Sequence, residues 1–173
     1  VMVMKDTIVI HNDATEESVL SMAALAAKWK EPARDAIDKL VLGEVVKLDM
    51  LNSLNLNTQL DYVPFDPKTK RTESTIRDKD GNEFKVTKGA PQVVLGLCRD
   101  CDDAKRKSIK ATIADLANRG IRSLGIARTN KNAGFEFLGI LTFSDPPRHD
   151  TKETIERAQA LGIEVKMITG DQV

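Results

Sequence analysis

The chain has 173 residues, 41% of them hydrophobic and 30% charged, enough to bury a core without disulfides. Lys plus Arg and Asp plus Glu are equal at 26 each, so no global field draws in nucleic acid or an anionic membrane, and any anion site has to be local. No run approaches the roughly 20 apolar residues that cross a bilayer, so the segment itself is expected to be soluble and not membrane-inserted.

Residues 1–10 alternate loosely and are rich in Val and Ile, which predicts an opening strand. Asp13 with Glu16 three residues later predicts a helix start, after which Val19, Met22, Ala23 and Ala26 recur at helical spacing and Lys28 and Lys30 close the helix. Pro32 opens a second predicted helix that Gly43 ends. Its buried stripe is Ile37, Leu40 and Val41, and Asp35 and Asp38 project together from near the opposite face. They are either a solvated acidic edge or carboxylates that accept a hydrogen bond from a ligand's amino group.

Residues 44–59 read as a loop with a short helix. Strands follow at 60–65, 72–78 and 83–87, the last two joined by the hairpin turn Asp80-Gly81-Asn82. Between the first two lies Phe65-Asp66-Pro67-Lys68-Thr69-Lys70-Arg71, a basic turn opened by an aromatic ring. Such a turn can stack a base and meet phosphates, or it can be solvated with Phe65 in the core. Lys88-Gly89-Ala90-Pro91 stands where the third of these strands gives way to a helix over 91–97. Small residues there let a ligand approach the backbone, and a lysine beside a helix start suits an anion; an ordinary exposed lysine before a proline-started helix is the plain alternative.

Cys98 and Cys101 form a C-x-x-C without a second pair, with His11 and His149 far away in sequence, and they read as coincidental thiols, with no metal site. A long helix spans 102–119 and ends at Gly120. In the strand over 121–128, Arg122, Leu124, Ile126 and Arg128 share a face. A nearly continuous apolar strand over 135–143 is broken by Ser144-Asp145-Pro146-Pro147-Arg148, whose two prolines stiffen a connection as a hinge between domains would. Asp150 with Glu153 then starts a helix that Gly162 ends, and an apolar strand over 163–168 leads to Thr169-Gly170-Asp171. Strand, helix and strand in that order imply a parallel pairing, with ligands beyond the carboxyl ends of the strands. A parallel sheet needs more strands than these, so the chain is expected to be a piece of something larger.

Six motifs together resemble the P-type ATPases in content and order. They are Asp35-Ala36-Ile37-Asp38, the turn from Phe65 to Thr72, Lys88-Gly89-Ala90-Pro91, Arg119-Gly120-Ile121-Arg122-Ser123-Leu124, Asp145-Pro146-Pro147-Arg148 and Met167-Ile168-Thr169-Gly170-Asp171-Gln172. The wording is most similar to the plasma-membrane proton pumps of plants, fungi and protists. The resemblance implies an α/β chain of α+β type. Residues 1–143 would be a nucleotide-binding domain with an antiparallel sheet flanked by helices, 144–150 a hinge, and 151–173 a partial βαβ unit of a haloacid-dehalogenase-like phosphorylation domain.

By the same resemblance Phe65 stacks on adenine, Lys88 lies at the mouth of the pocket with Gly89 and Ala90, Lys70 joins it, and Arg122 meets the phosphates. Asp38, with Asp35 beside it, sits near the adenine amino group, and Asp145 and Arg148 contact ribose and phosphates on closure. Thr169, Gly170 and Asp171 match a catalytic loop near the transferred phosphoryl group. The implied cofactors are ATP and the Mg2+ it carries. The implied partners are the phosphorylation, actuator and transmembrane domains of a parent pump, and the implied location is the cytoplasmic side of the plasma membrane. The family's Asp-Lys-Thr-Gly-Thr motif is absent here, as is its later magnesium-binding aspartate motif, so the isolated segment is expected to be inactive. Pro91-Gln92 also stands where many relatives have Pro-Glu. A pump of another cation specificity and a non-catalytic nucleotide-sensing module stay open as alternatives.

Overall fold

Alternating segments of this sequence form strands, and segments with helical spacing cover them. A computed structural model describes residues 2–130 and 134–168. In chain order the elements are β1 (Val3–Val9), α1 (Glu16–Leu25), α2 (Ala36–Lys47), α3 (Leu51–Asn55), β2 (Thr58–Asp66), β3 (Arg71–Arg77), β4 (Glu83–Gly89), α4 (Pro91–Leu97), α5 (Asp103–Asn118), β5 (Arg122–Asn130), β6 (Gly134–Ser144) and α6 (Thr151–Ala160). The backbone divides into a unit of Met2–Ser144, which holds the sheet and α1 to α5, and a unit containing Asp145–Val173, which holds α6.

All six strands join one sheet in the order β1-β6-β5-β4-β3-β2, and every neighbouring pair is antiparallel. The hairpin between β3 and β4 follows from local chemistry. Gly81 takes φ +82°, and the Asp78 carboxylate accepts from the Asp80 and Asn82 amides at 2.9 Å each.

The pleat sends alternate residues to two faces. On one, Ile76, Val86, Ile126, Leu141 and Phe143 pack against Val19 and Ala23 of α1 and Val41 and Val45 of α2. On the other, Ala127, Phe137 and Ile140 pack against Val94 and Leu95 of α4 and Ile109, Ile113 and Leu116 of α5. A Cβ on Gly125 would stand 2.9 Å from the Pro91 Cα, so this glycine is what lets α4 lie directly on β5.

Several helix boundaries differ from expectation. The cap of α1 is Thr15, whose hydroxyl accepts from the Ser18 amide at 3.2 Å while Ser18 Oγ accepts from the Thr15 amide at 2.8 Å. This reciprocal pair outcompetes a start at Asp13. Lys28 and Lys30 lie beyond the helix, whose C-cap is Ala26. The second helix begins after Asp35 and not at Pro32, because the Asp35 carboxylate caps it by accepting from the Asp38 amide at 2.8 Å. It runs through Gly43 to Lys47, since the apolar spacing continues to the buried Val45 and a glycine in a helix costs only about 1 kcal/mol.

No strand forms at 163–168 among the described residues, where Ile163, Val165, Met167 and Ile168 are exposed. A strand needs a partner edge, and β6 already has β1 and β5 on its two sides. The expected partial βαβ unit is thus corrected to α6 followed by irregular chain. Among the described residues no helix is long and apolar enough to cross a membrane.

Candidate nucleotide site

The sheet's connectivity gathers residues that are distant in sequence. The last residues of β2, the first of β3, the last of β4 and the first of β5 all fall at one end of the sheet, which puts Phe65, Lys70, Lys88 with Gly89, and Arg122 at that end. Register then aligns part of this set in a row. Thr72 pairs with Lys88 and Lys88 with Ile126, while β2 carries a bulge between Val63 and Asp66. Val63 faces Glu73 and Asp66 faces Arg71, so the two residues Pro64 and Phe65 both stand opposite Thr72. Such an extra residue re-aims side chains at the edge of a sheet. Phe65 is 59% exposed, not part of the core.

Lys88 is not the exposed junction lysine that the sequence suggests. It shares the face of Val86 and Ile126, lies 5% exposed, and donates to the Asp38 carboxylate. Burial pushes the Lys88 ammonium below the ordinary lysine range, and the charge and hydrogen bond of Asp38, followed by the charge of Asp35, oppose that shift. Asp38 is accordingly on the buried side of α2 and not on its solvated edge. Asp35 caps the same helix one turn earlier.

Gly89 is small for a reason internal to the chain. A Cβ on Gly89 would fall 2.4 Å from the Lys70 carbonyl oxygen and 2.5 Å from the Arg71 Cβ. The Ala90 amide donates to that same Lys70 carbonyl at 3.0 Å. What approaches Gly89 closely is therefore the basic turn itself. Lys70 holds φ +51°, and its amide donates to the Asp66 carbonyl at 2.6 Å, which closes the turn. The two sequence motifs are welded backbone to backbone.

Arg122 is exposed at the start of β5, opposite Phe143. Asp145 and Arg148 belong to the second unit, where Arg148 is 3.7 Å from the Asp150 carboxylate. Thr169, Gly170 and Asp171 lie outside the described residues. The two thiols are held protonated: burial, then the charge of Asp100, pushes Cys98 up to about 12, and the same causes raise Cys101.

Sequence reasoning missed the segment that roofs this face. The Thr72 hydroxyl donates to the Ala26 carbonyl at 2.7 Å and the Gln59 amide to the Ala27 carbonyl at 3.0 Å. These bonds hold Lys28 so that its ammonium lies 5.7 Å from the centre of the Tyr62 ring. Tyr62 is the chain's one tyrosine, in a strand already singled out for Phe65, and that was the available signal.

Residues 4–150 match the family described as "P-type ATPase, cytoplasmic domain N". Over 158 residues the chain is 48% identical to "Probable proton ATPase 1A" and to "Probable proton ATPase 1B" of Leishmania donovani, covering 91% of this chain and 16% of each of them. A protein of Methanocaldococcus jannaschii provisionally named a cation-transporting ATPase is 39% identical over 166 residues, 96% of this chain and 20% of that protein. The chain thus spans a fifth or less of the length of these relatives.

Proposed function

Because the chain belongs to the P-type ATPases as their cytoplasmic domain N, we propose that it binds ATP and delivers the γ-phosphoryl group to an acceptor aspartate elsewhere in a parent pump. The observation that carries this reading is the convergence of Phe65 of β2, Lys70 of the β2–β3 turn, Lys88 of β4 and Arg122 of β5 on one end of the sheet. Phosphoryl transfer of this kind rests on positioning and charge neutralisation, so a domain that presents the nucleotide contributes without supplying the nucleophile.

In this reading Phe65 stacks the adenine and the Asp38–Lys88 pair, with Asp35 and the Gly89-Ala90 backbone, walls the pocket. Lys70 and Arg122 face the phosphates, and Asp145 and Arg148 meet the nucleotide on closure about a hinge at 144–150. Residues 1–143 form the nucleotide domain and 151–173 enter the phosphorylation domain, where Thr169, Gly170 and Asp171 act near the phosphoryl group. The division of the backbone after Ser144 supports that partition. Magnesium is assigned to the phosphates of the nucleotide, and among the described residues no group of three or more His, Cys, Asp or Glu side chains comes together.

The parent is a multi-pass plasma-membrane pump with this domain on its cytoplasmic side. A proton as the transported ion is supported by the names of the Leishmania relatives, and the broader name of the Methanocaldococcus relative keeps another cation as the second reading. Titration of the fragment with Mg-ATP followed by NMR tests the site. Shifts centred on Phe65 and Lys88 are expected, with a dissociation constant on the order of 1 mM. Unchanged shifts at both residues at saturating ATP would reject it.

A further inference from the structure

Tyr62 stands on β2 opposite Ser74, which itself pairs with Val86, on the face that also carries Thr72 and Lys88. The ring is held from one side by Lys28, and Lys28 is placed by the segment that Thr72 and Gln59 anchor through the carbonyls of Ala26 and Ala27. The phenol's pKa is raised above its usual value, by burial first and then by the negative charges of Asp38 and Asp35. Among the described residues the Tyr62 hydroxyl makes no hydrogen bond within the chain, so its oxygen is open to a donor brought by a ligand.

We propose that Tyr62 is a specificity-determining residue of the nucleotide site, its hydroxyl oxygen accepting a hydrogen bond from the 6-amino group of the purine. This rests on the nucleotide-site reading above and adds which base the site selects. An amino group at that position of the base donates toward the Tyr62 oxygen and the nearby carboxylates. An oxo group there could be met only by the phenol O–H and would bring its lone pairs toward the negative charges of Asp38 and Asp35. Phe65, by contrast, offers only a ring face, and stacking is tolerant of the base.

Inosine triphosphate carries a 6-oxo group and a protonated N1 where ATP carries the 6-amino group and a bare N1, and the rest of the molecule is the same, so it is the effect of Tyr62→Phe across the pair that reads the proposed contact. NMR titrations of the wild-type fragment, Tyr62→Phe and Phe65→Ala with each nucleotide give the test. Tyr62→Phe keeps the ring and its contact with Lys28, so the spectrum without nucleotide should be preserved. It is expected to weaken ATP by about five-fold, the value of one ordinary hydrogen bond, and to leave inosine triphosphate unchanged. Phe65→Ala is expected to weaken both nucleotides alike. Should Tyr62→Phe weaken both equally, or neither, while Phe65→Ala weakens both, the role of Tyr62 is wrong and the site stands. Should the wild type bind neither nucleotide, or Phe65→Ala leave both unchanged, the site itself is wrong and the role of Tyr62 falls with it.

Discussion

The Lys88 ammonium and the Asp38 carboxylate meet inside the core from positions 50 residues apart, tying α2 to the central strand β4. Neither group could be left alone there, because an isolated buried charge costs far more than the pair. Lys88→Met is expected to destabilise the fold by about 3–5 kcal/mol, most of it from stranding Asp38. Lys88→Met combined with Asp38→Leu should recover much of that loss, since apolar groups of similar size suit the site. Urea unfolding of the two single variants and the double variant measures the coupling, and strictly additive losses would show that there is none.

Acid should release a different pair of contacts. Burial alone would raise the Glu73 carboxyl, yet the hydrogen bonds from Arg71 and Lys85 more than offset it and leave the group below its ordinary range. The folded state then binds fewer protons than the unfolded state, so the contribution of Glu73 is present above its unfolded value of about 4.3 and is lost as pH falls through the lower folded value. The stability advantage of the wild type over Glu73→Gln should be flat near neutrality and shrink below about pH 4.3. An advantage that grew on acidification would contradict the assignment.

What could be read from the sequence divides by range. The hairpin at Asp80-Gly81-Asn82 and α5 between Asp102 and Gly120 were legible because turn and cap chemistry acts within a few residues. The passage of α2 through Gly43 was not, because the buried Val45 that extends it is recognised only once the sheet beneath is known. The burial of Asp38 was hidden for the same reason, since its partner lies on β4. Phe65 was singled out for its company of cations, but its place opposite Thr72 depends on a bulge that composition does not announce. The segment at 163–168 failed as a strand prediction because apolar alternation specifies a face and not a partner edge.

Both cysteines should be poor nucleophiles in the native state. Cys98 is 2% exposed, its thiol is pushed up to about 12 by burial and then by Asp100, and it donates to the Val94 carbonyl at 3.2 Å. Reaction with a thiol reagent at pH 8 should be slow until denaturant unfolds the chain, and Cys101, partly exposed, should react first. Prompt modification of Cys98 in native protein would place that helix end in solvent.

Two glycines should respond oppositely to alanine. Gly89→Ala drives a Cβ into the Lys70 carbonyl and Arg71, backbone that cannot step aside, and is expected to cost about 1–3 kcal/mol. Gly43→Ala places a methyl group where nothing lies within 4 Å, in the interior of α2, and should stabilise by about 0.5–1 kcal/mol. Thermal or urea unfolding distinguishes the two, and loss of stability in Gly43→Ala would mean that the helix does not continue past that residue.

Phe65→Ala separates binding from folding. The ring is 59% exposed and absent from both core clusters, so its removal is expected to change unfolding free energy by about 0.5 kcal/mol or less. If it stacks a base, the same change should weaken ATP by about 1–3 kcal/mol. Most single substitutions near Lys88 would confound the two, because the Lys88–Asp38 pair is at once the wall of the site and the tie between α2 and the sheet. Calorimetric or NMR titration beside urea unfolding of the same sample gives both numbers. A variant that loses stability and binding in proportion would put Phe65 in the core; one that loses binding alone would make its ring a ligand contact on a bulge of the edge strand β2, held by its pairing with β3.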